Sequence, residues 1–462
     1  ITRWGVLPFT PATMLVDVRT SFVTAENVGY VPLNYDLRWH GPVLARQALG
    51  SSYNLPAVKV LDAIGIEQLT AQARRMGITT FDRATVSGPD KSGRKEPRFG
   101  LALTLGGGEV RLLELTAAYA AFATGGQRVR PVAVRAVVDA EGRTIYTPPP
   151  APREQVLDPR VAYLVTDILS DEWARLPAFG ERSALYLGRP AAAKTGTTTD
   201  WRDNWTVGYT PDLVAGVWVG NADNSPMVHV SGISGAGPIW HDFMDWALKG
   251  VPPVAFEQPE GLVEAEVCAL TGMRPTEHCP HKRREWFIEG AEPAQDCDVH
   301  RLYRIDAAPG LLATEETPPE RLLERVYALY PPEALAWAIG QGLPQPPSAP
   351  QEPAADGGPL PTPGAVAPLE VVSPFQNDRY RISTALPRED QRLLVEARAG
   401  VGAAFARVTL YVGEQPLGTF EAPPYQAWWV LEPGQHQIYA VGERASGESF
   451  RSEAITVIVS GG

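Results

Sequence analysis

Between residues 45 and 124 apolar positions recur three and four apart, and each run stops at glycine. One helical run ends at Gly50, and a second opens at Pro56, carries Ala57, Val60, Leu61 and Ile64 on one face, and stops at Gly65. Glu67 to Met76 predicts a third helix, closed by Gly77, and Arg111 to Thr124 a fourth, with Leu115, Ala118, Tyr119 and Phe122 on one face and Gly125-Gly126 behind it. Asp158-Pro159 supplies an N-cap and an N1 proline for a helix through Leu169. The pattern then becomes strand-like. Trp205 to Pro211 and Gly216 to Gly220 read as a hairpin of half-buried strands, with Ala193 to Thr198 on a strand of the same sheet. Trp240 to Leu248 predicts a closing helix near Gly250.

Past Val372 the period is two: Val408, Leu410 and Val412, then Ile438 and Ala440, then Ile455, Val457 and Val459, with Pro433-Gly434 as a turn. The expected organisation is an α/β (α+β) domain over residues 1–250, a cysteine-containing connector over 251–342, a Pro-rich linker over 343–371, and a small all-β sandwich over 372–462. In that last part Trp428-Trp429 reads as one core and one surface tryptophan rather than a sugar-stacking platform.

Composition narrows the function. The 462 residues carry 53 acidic against 41 basic side chains, a net charge of -12, which argues against nucleic acid as a partner. No apolar run approaches the ~18 residues of a membrane-spanning helix. The Gly106-Gly107-Gly108 loop lacks a following Lys-Ser/Thr and the dinucleotide fingerprint, so it reads as a tight turn into a helix and not as a phosphate cradle.

The chemistry concentrates in two places. Lys194-Thr195-Gly196-Thr197-Thr198 places a cation, hydroxyls and backbone N–H groups on one strand, suited to a substrate carboxylate and carbonyl lying alongside. Gly196 allows close approach of a substrate backbone. Ser52-Tyr53-Asn54 falls between two helices; taken alone, a Ser-x-Asn triplet reads as helix capping. Arg46 and Arg202 join Lys194 as candidate positive charges for an anionic peptide end.

Together these triplets fit the serine acyl-enzyme set S-x-x-K, S-x-N, K-T-G. With Asn34-Tyr35-Asp36, Leu103 to Val110 and Ser231 to Ala236, the chain resembles, from about Phe9 onward, the transpeptidase region of class A penicillin-binding proteins, the 1C type in particular. The resemblance implies a D,D-transpeptidase that cross-links peptidoglycan stem peptides, is acylated by β-lactam antibiotics, works on the extracytoplasmic side of the bacterial inner membrane and needs no cofactor. It implies that Ser52 relays a proton, Asn54 holds a substrate amide, and Lys194 orients Ser52. Thr195 and Thr197 would bind the terminal carboxylate, and the Thr197 N–H would form half of the oxyanion hole. Gly196 and Thr198 complete the substrate strand.

No S-x-x-K occurs in residues 1–51. Ser92-Gly93-Arg94-Lys95 follows Ser52 in a polar loop and is a poor nucleophile candidate. The expectation is an N-terminally truncated chain, with the nucleophile, a glycosyltransferase domain and a membrane anchor upstream. Cell-wall synthesis proteins are expected partners of the β domain. An inert scaffold and a serine β-lactamase are the alternative functions.

The three cysteines, Cys268, Cys279 and Cys297, lie in the connector. Two readings apply: a disulfide, with Cys268–Cys279 the first pair to test, or a zinc site completed by His300, which lacks a tight Cys-x2-Cys pair.

Overall fold

The computed structural model describes residues 9–20, 22–23, 29–83, 99–150, 152–198, 201–228, 230–308, 310–347, 368–376, 378–382, 388, 391–400, 405–444 and 446–460. Ser92 to Lys95 and most of the Pro-rich linker lie outside them. The chain forms two units. One comprises Ile1–Asp17, Asn34–Asp36 and Pro42–Cys297; the other comprises Val18–Leu33, Leu37–Gly41 and Asp298–Gly462. Residues 251–342 are therefore divided between the two.

In the first unit, β1 (Met14–Asp17) pairs with β2 (Gly41–Leu44), which leads directly into α1 (Ala45–Gly50). Next come α2 (Asn54–Ile64) and α3 (Ile66–Met76), the latter ended by Gly77 in the left-handed region. Helix α2 begins two residues before Pro56. Proline is tolerated throughout the first turn, where backbone N–H groups have no intrahelical acceptor, so Pro56 marks the start of the helix only to within a turn. Helices α4 (Leu112–Ala123) and α5 (Pro159–Ser170) match the periodic segments, and Asp158 caps α5 by accepting from the Arg160 N–H. Sequence periodicity missed α6 (Glu172–Phe179), capped by Asp171 and carrying Pro177 inside it.

An antiparallel sheet follows. β3 (Ala192–Thr197) pairs with β4 (Asp203–Tyr209), which pairs with β5 (Val214–Gly220), so β3 is an edge among the described strands. Ala192, Ala193, Val207 and Tyr209 are buried, and Tyr209 shares a hydrogen bond with Thr166 of α5. Trp240 and Met244 of α7 (Ala236–Ala247) are fully buried in a core with Leu185 and Ala193. At Gly208 an added Cβ would sit 2.3 Å from the Trp240 ring, so only glycine lets the helix lie this close. A hairpin of β6 (Leu262–Cys268) and β7 (Lys282–Ile288) completes the unit.

In the second unit His300–Asp306 pairs with Leu311–Leu312 and Leu322–Ala328, and residues 369–460 hold two further β-sheets. Leu369–Ser373, Arg392–Ala399 and Tyr425–Val430 form one; Arg379–Arg381, Ile455–Ser460, Gly434–Glu443, Arg407–Val412 and Gln415–Phe420 run in that order in the other. Val395, Val408, Leu410, Ile438 and Val457 are fully buried in one core, the alternation that the period-two pattern predicts. Trp429 is in this core and Trp428 is exposed.

Candidate active site

Helix α1 ends in a left-handed turn: Ser52 has φ 60°, its N–H donates to the Leu49 carbonyl, and the Tyr53 N–H donates to the Ala48 carbonyl. This is the Schellman closure, in which glycine is the usual occupant. A serine there carries a hydroxyl at a cost in backbone energy of about 1 kcal/mol. The capping reading of Ser52 and Asn54 fails, because α2 has Tyr53 at its N-cap and no side-chain cap bond. Instead the Ser52 Oγ accepts a hydrogen bond from the Lys194 Nζ at 2.5 Å, across 142 residues of sequence.

Asn54 is the first residue of α2 and not a loop residue. Its N–H donates to the Asn34 Oδ1 at 2.8 Å, and the Asn34 Nδ2 donates to the Asp17 Oδ2 at 2.7 Å. Asp17 and Asn34 are buried, so a fixed polar relay from β1 sets the start of α2. Sequence reasoning did not give these two residues a role; the quoted Asn34-Tyr35-Asp36 motif was the available signal.

Lys194 also donates to the Thr195 carbonyl at 2.9 Å, which uses two of the three N–H groups of the ammonium among the described residues. Burial pushes its pKa down from 10.5 to about 8. Two residues on, Gly196 has a conformation open to any residue, and an added Cβ would meet only the Trp205 Cβ, at 3.4 Å. The protein's own packing does not demand glycine here.

The Thr198 N–H donates to the Asp203 carbonyl, inside the sheet. Alternation along an antiparallel strand turns the Thr197 N–H the other way, to the edge of β3 that no described strand covers. The Thr197 Oγ1 accepts from the Gly232 N–H at 2.9 Å, and Thr198 is held by Asp203 through its own hydroxyl. Gly232 lies on the strand pair, where a Cβ would stand 2.6 Å from the Gly196 carbonyl and 2.8 Å from that of Trp205. Thus the turn Ser231 to Ala236 buttresses the Lys194 strand from one face.

Arg46 does not face a substrate. It is buried, its Nε donates to the Glu285 Oε2 at 2.7 Å and its Nη1 to the Asp171 Oδ2 at 3.1 Å, and its Nη2 bonds both Glu285 and Asp167. Burial opposes its charge, but the contacts with Glu285 and Asp167 more than offset this and raise its pKa. Arg202 donates to the Asn224 carbonyl at 2.6 Å. Of the three expected cations, Lys194 is the one joined to the Ser-x-Asn segment.

The Cys268–Cys279 disulfide is not formed. All three cysteines are buried thiols, and their sulfurs stand within 4.8 Å of one another.

A half-buried lysine on a strand edge that no other described strand covers, bonded to the serine of a Ser-x-Asn that closes a helix, is the arrangement of the penicillin-recognising acyl transferases. Residues 26–245 match the family described as "Penicillin binding protein transpeptidase domain", and residues 258–302 match "Penicillin-binding protein 1A, C-terminal domain". Over these residues the chain belongs to the penicillin-binding proteins, a family of serine-type acyl transferases.

The chain is 34% identical over 296 residues to penicillin-binding protein 2D of Bacillus subtilis, covering 63% of this chain and 40% of that protein. It is 33% identical over 269 residues to penicillin-binding protein 1A of Aquifex aeolicus, covering 58% and 34%. It therefore spans two fifths or less of these relatives. The crystal structure of penicillin-binding protein 1A from Haemophilus influenzae shares the fold, with a TM-score of 0.52 at 23% identity over 64% of this chain and 47% of that one. Among the described residues no helix is long and apolar enough to cross a membrane.

Proposed function

We propose that this chain is the D,D-transpeptidase part of a class A peptidoglycan synthase of the 1C type. Its nucleophile would be the serine of an S-x-x-K motif that precedes these residues in the full protein. The observation that carries the reading is the Lys194–Ser52 hydrogen bond, which joins the two motif segments at β3, whose outer edge no described strand covers. The 1C assignment is supported by the β-sandwich that follows the linker.

The mechanism is a two-step acyl transfer. The serine attacks the carbonyl of the penultimate D-Ala of a stem peptide and forms an ester as the terminal D-Ala leaves with a proton relayed by Ser52. An amine of a neighbouring strand then attacks the ester, forms the cross-linking amide and returns the serine hydroxyl. Asn54 holds a substrate amide, Thr195 and Thr197 bind the terminal carboxylate, and the outward Thr197 N–H donates to the oxyanion, a bond worth about 3 kcal/mol in such sites. A glycosyltransferase domain, a membrane anchor and cell-wall synthesis partners belong to the same proposal.

Labelling with a fluorescent penicillin, with the modified residue mapped by mass spectrometry, tests it. A form extended upstream should label on a serine before Ile1, and the 462-residue chain should not. Labelling at Ser92 would overturn the motif order, and labelling of neither would favour an inert scaffold. Rapid hydrolysis of a chromogenic cephalosporin by the extended form would favour a β-lactamase.

Two further results are expected. Gly196→Ala has room for its methyl group and removes a strand glycine, so Tm should hold or rise slightly. Acylation should nevertheless slow about a hundredfold, because the methyl group displaces the ligand backbone from the strand. A parallel loss of Tm and acylation would contradict this. Acylation by an anionic β-lactam should also fall as pH rises through about 8, where Lys194 loses its charge. Stability moves the opposite way. The unfolded chain holds the lysine proton up to 10.5 and the folded chain only to about 8, so this group's effect on stability improves with pH across that window. A stopped-flow pH profile beside thermal melts separates the two.

A further inference from the structure

We infer that Cys268, Cys279 and Cys297 bind one zinc ion through their three thiolates. This goes beyond the acyl-transfer reading and does not rest on it.

The three sulfurs come from three separate turns. Cys268 ends β6, and a tight turn follows in which the Gly272 N–H donates to the Cys268 carbonyl and the Cys268 N–H to the Met273 carbonyl, both at 2.8 Å. Cys279 closes a turn from Thr276, and the Cys297 N–H donates to the Arg274 carbonyl at 2.8 Å. Each cysteine is thus fixed by its backbone before any sulfur chemistry.

Sulfurs bound to one zinc at about 2.3 Å in a tetrahedron stand about 3.8 Å apart. The three sulfurs here lie within 4.8 Å of one another, so a contraction of an ångström or less would seat the ion. A disulfide satisfies only two sulfurs and leaves the third thiol buried beside the bridge.

A second feature points the same way. The Thr276 N–H donates to the Cys279 Sγ at 3.4 Å, and the Thr271 hydroxyl donates to the Cys297 Sγ at 3.5 Å. Donors aimed at sulfur are the outer-shell partners that thiolates on a metal use to spread their charge. Three buried cysteines acting only as small apolar residues would not call for them. Binding releases the three thiol protons to solvent, and the ion ties the end of β6 to the two following turns.

The test uses the whole 462-residue chain, purified reduced and equilibrated with zinc. Elemental analysis should find one zinc per chain, and Cys268→Ser, Cys279→Ser and Cys297→Ser should each lose it. Because a serine variant can fail to fold, cobalt is exchanged into the wild-type chain as well, where tetrahedral d–d bands and thiolate-to-cobalt charge transfer are expected. Wild-type protein holding no more zinc than the triple serine variant, or giving no thiolate–cobalt band, overturns the site. So does a metal-free chain whose intact mass is two hydrogens lighter and whose peptide map shows a Cys268–Cys279 bridge.

Discussion

Lys194→Ala, made in a form that carries the nucleophile, should lower the second-order rate constant for acylation by penicillin about a hundred- to a thousandfold, the usual effect of removing one preorganised donor from an acyl-transfer site. The geometry gives two reasons. The ammonium holds the Ser52 hydroxyl at 2.5 Å, and it is the cation that the two motif segments share. Stability should change little, since burial already disfavours the charge and its removal offsets the lost hydrogen bonds. Lys194→Arg should not restore the rate: a planar fork cannot sit where a compact ammonium reaches both Ser52 and the Thr195 carbonyl. Stopped-flow labelling beside a thermal melt decides it, and a Lys194→Ala variant that acylates at the wild-type rate would remove Lys194 from the mechanism.

The largest expected loss of stability is at Arg46, far from any role in binding. Arg46→Ala leaves Glu285, whose side chain is wholly buried, together with Asp167 and Asp171, without their shared cation. Removing one partner of such a buried cluster costs about 3–5 kcal/mol. In a unit of this size that corresponds to a fall in Tm of about 10 °C. Arg283 already pairs more loosely with two of these carboxylates, its Nε 3.7 Å from Glu285 and its Nη2 3.9 Å from Asp171, but its Nε makes no hydrogen bond and it does not replace the close contacts of Arg46. Arg46→Met combined with Glu285→Leu should recover much of the loss, because apolar replacement removes the desolvated charge along with its partner. A calorimetric melt of the three forms checks both statements.

Much of this was readable in the sequence where the signal is local. Helices α3, α4 and α5, the β4–β5 hairpin and the alternating strands of the sandwich follow from periodicity, capping residues and glycine stops. The placement of Lys194 on a strand followed in the same way. Long-range facts were not legible. Nothing near Arg46 announces that its carboxylate partners lie 121, 125 and 239 residues away, so an arginine beside the motif read as a substrate contact. The cysteine spacings, without a tight pair, hid the convergence of three sulfurs from separate turns. Helix α6 was missed because Pro177 sits inside it, and its Asp171 N-cap carries the signal instead.

The left-handed backbone at Ser52 bears on how this protein can be engineered. A stabilising redesign judged by folding alone would put glycine there, relieve the strained dihedral and gain thermal tolerance. The product would purify well, melt higher and lack the hydroxyl that Lys194 holds. Selection for robustness and selection for turnover pull on this one position in opposite directions.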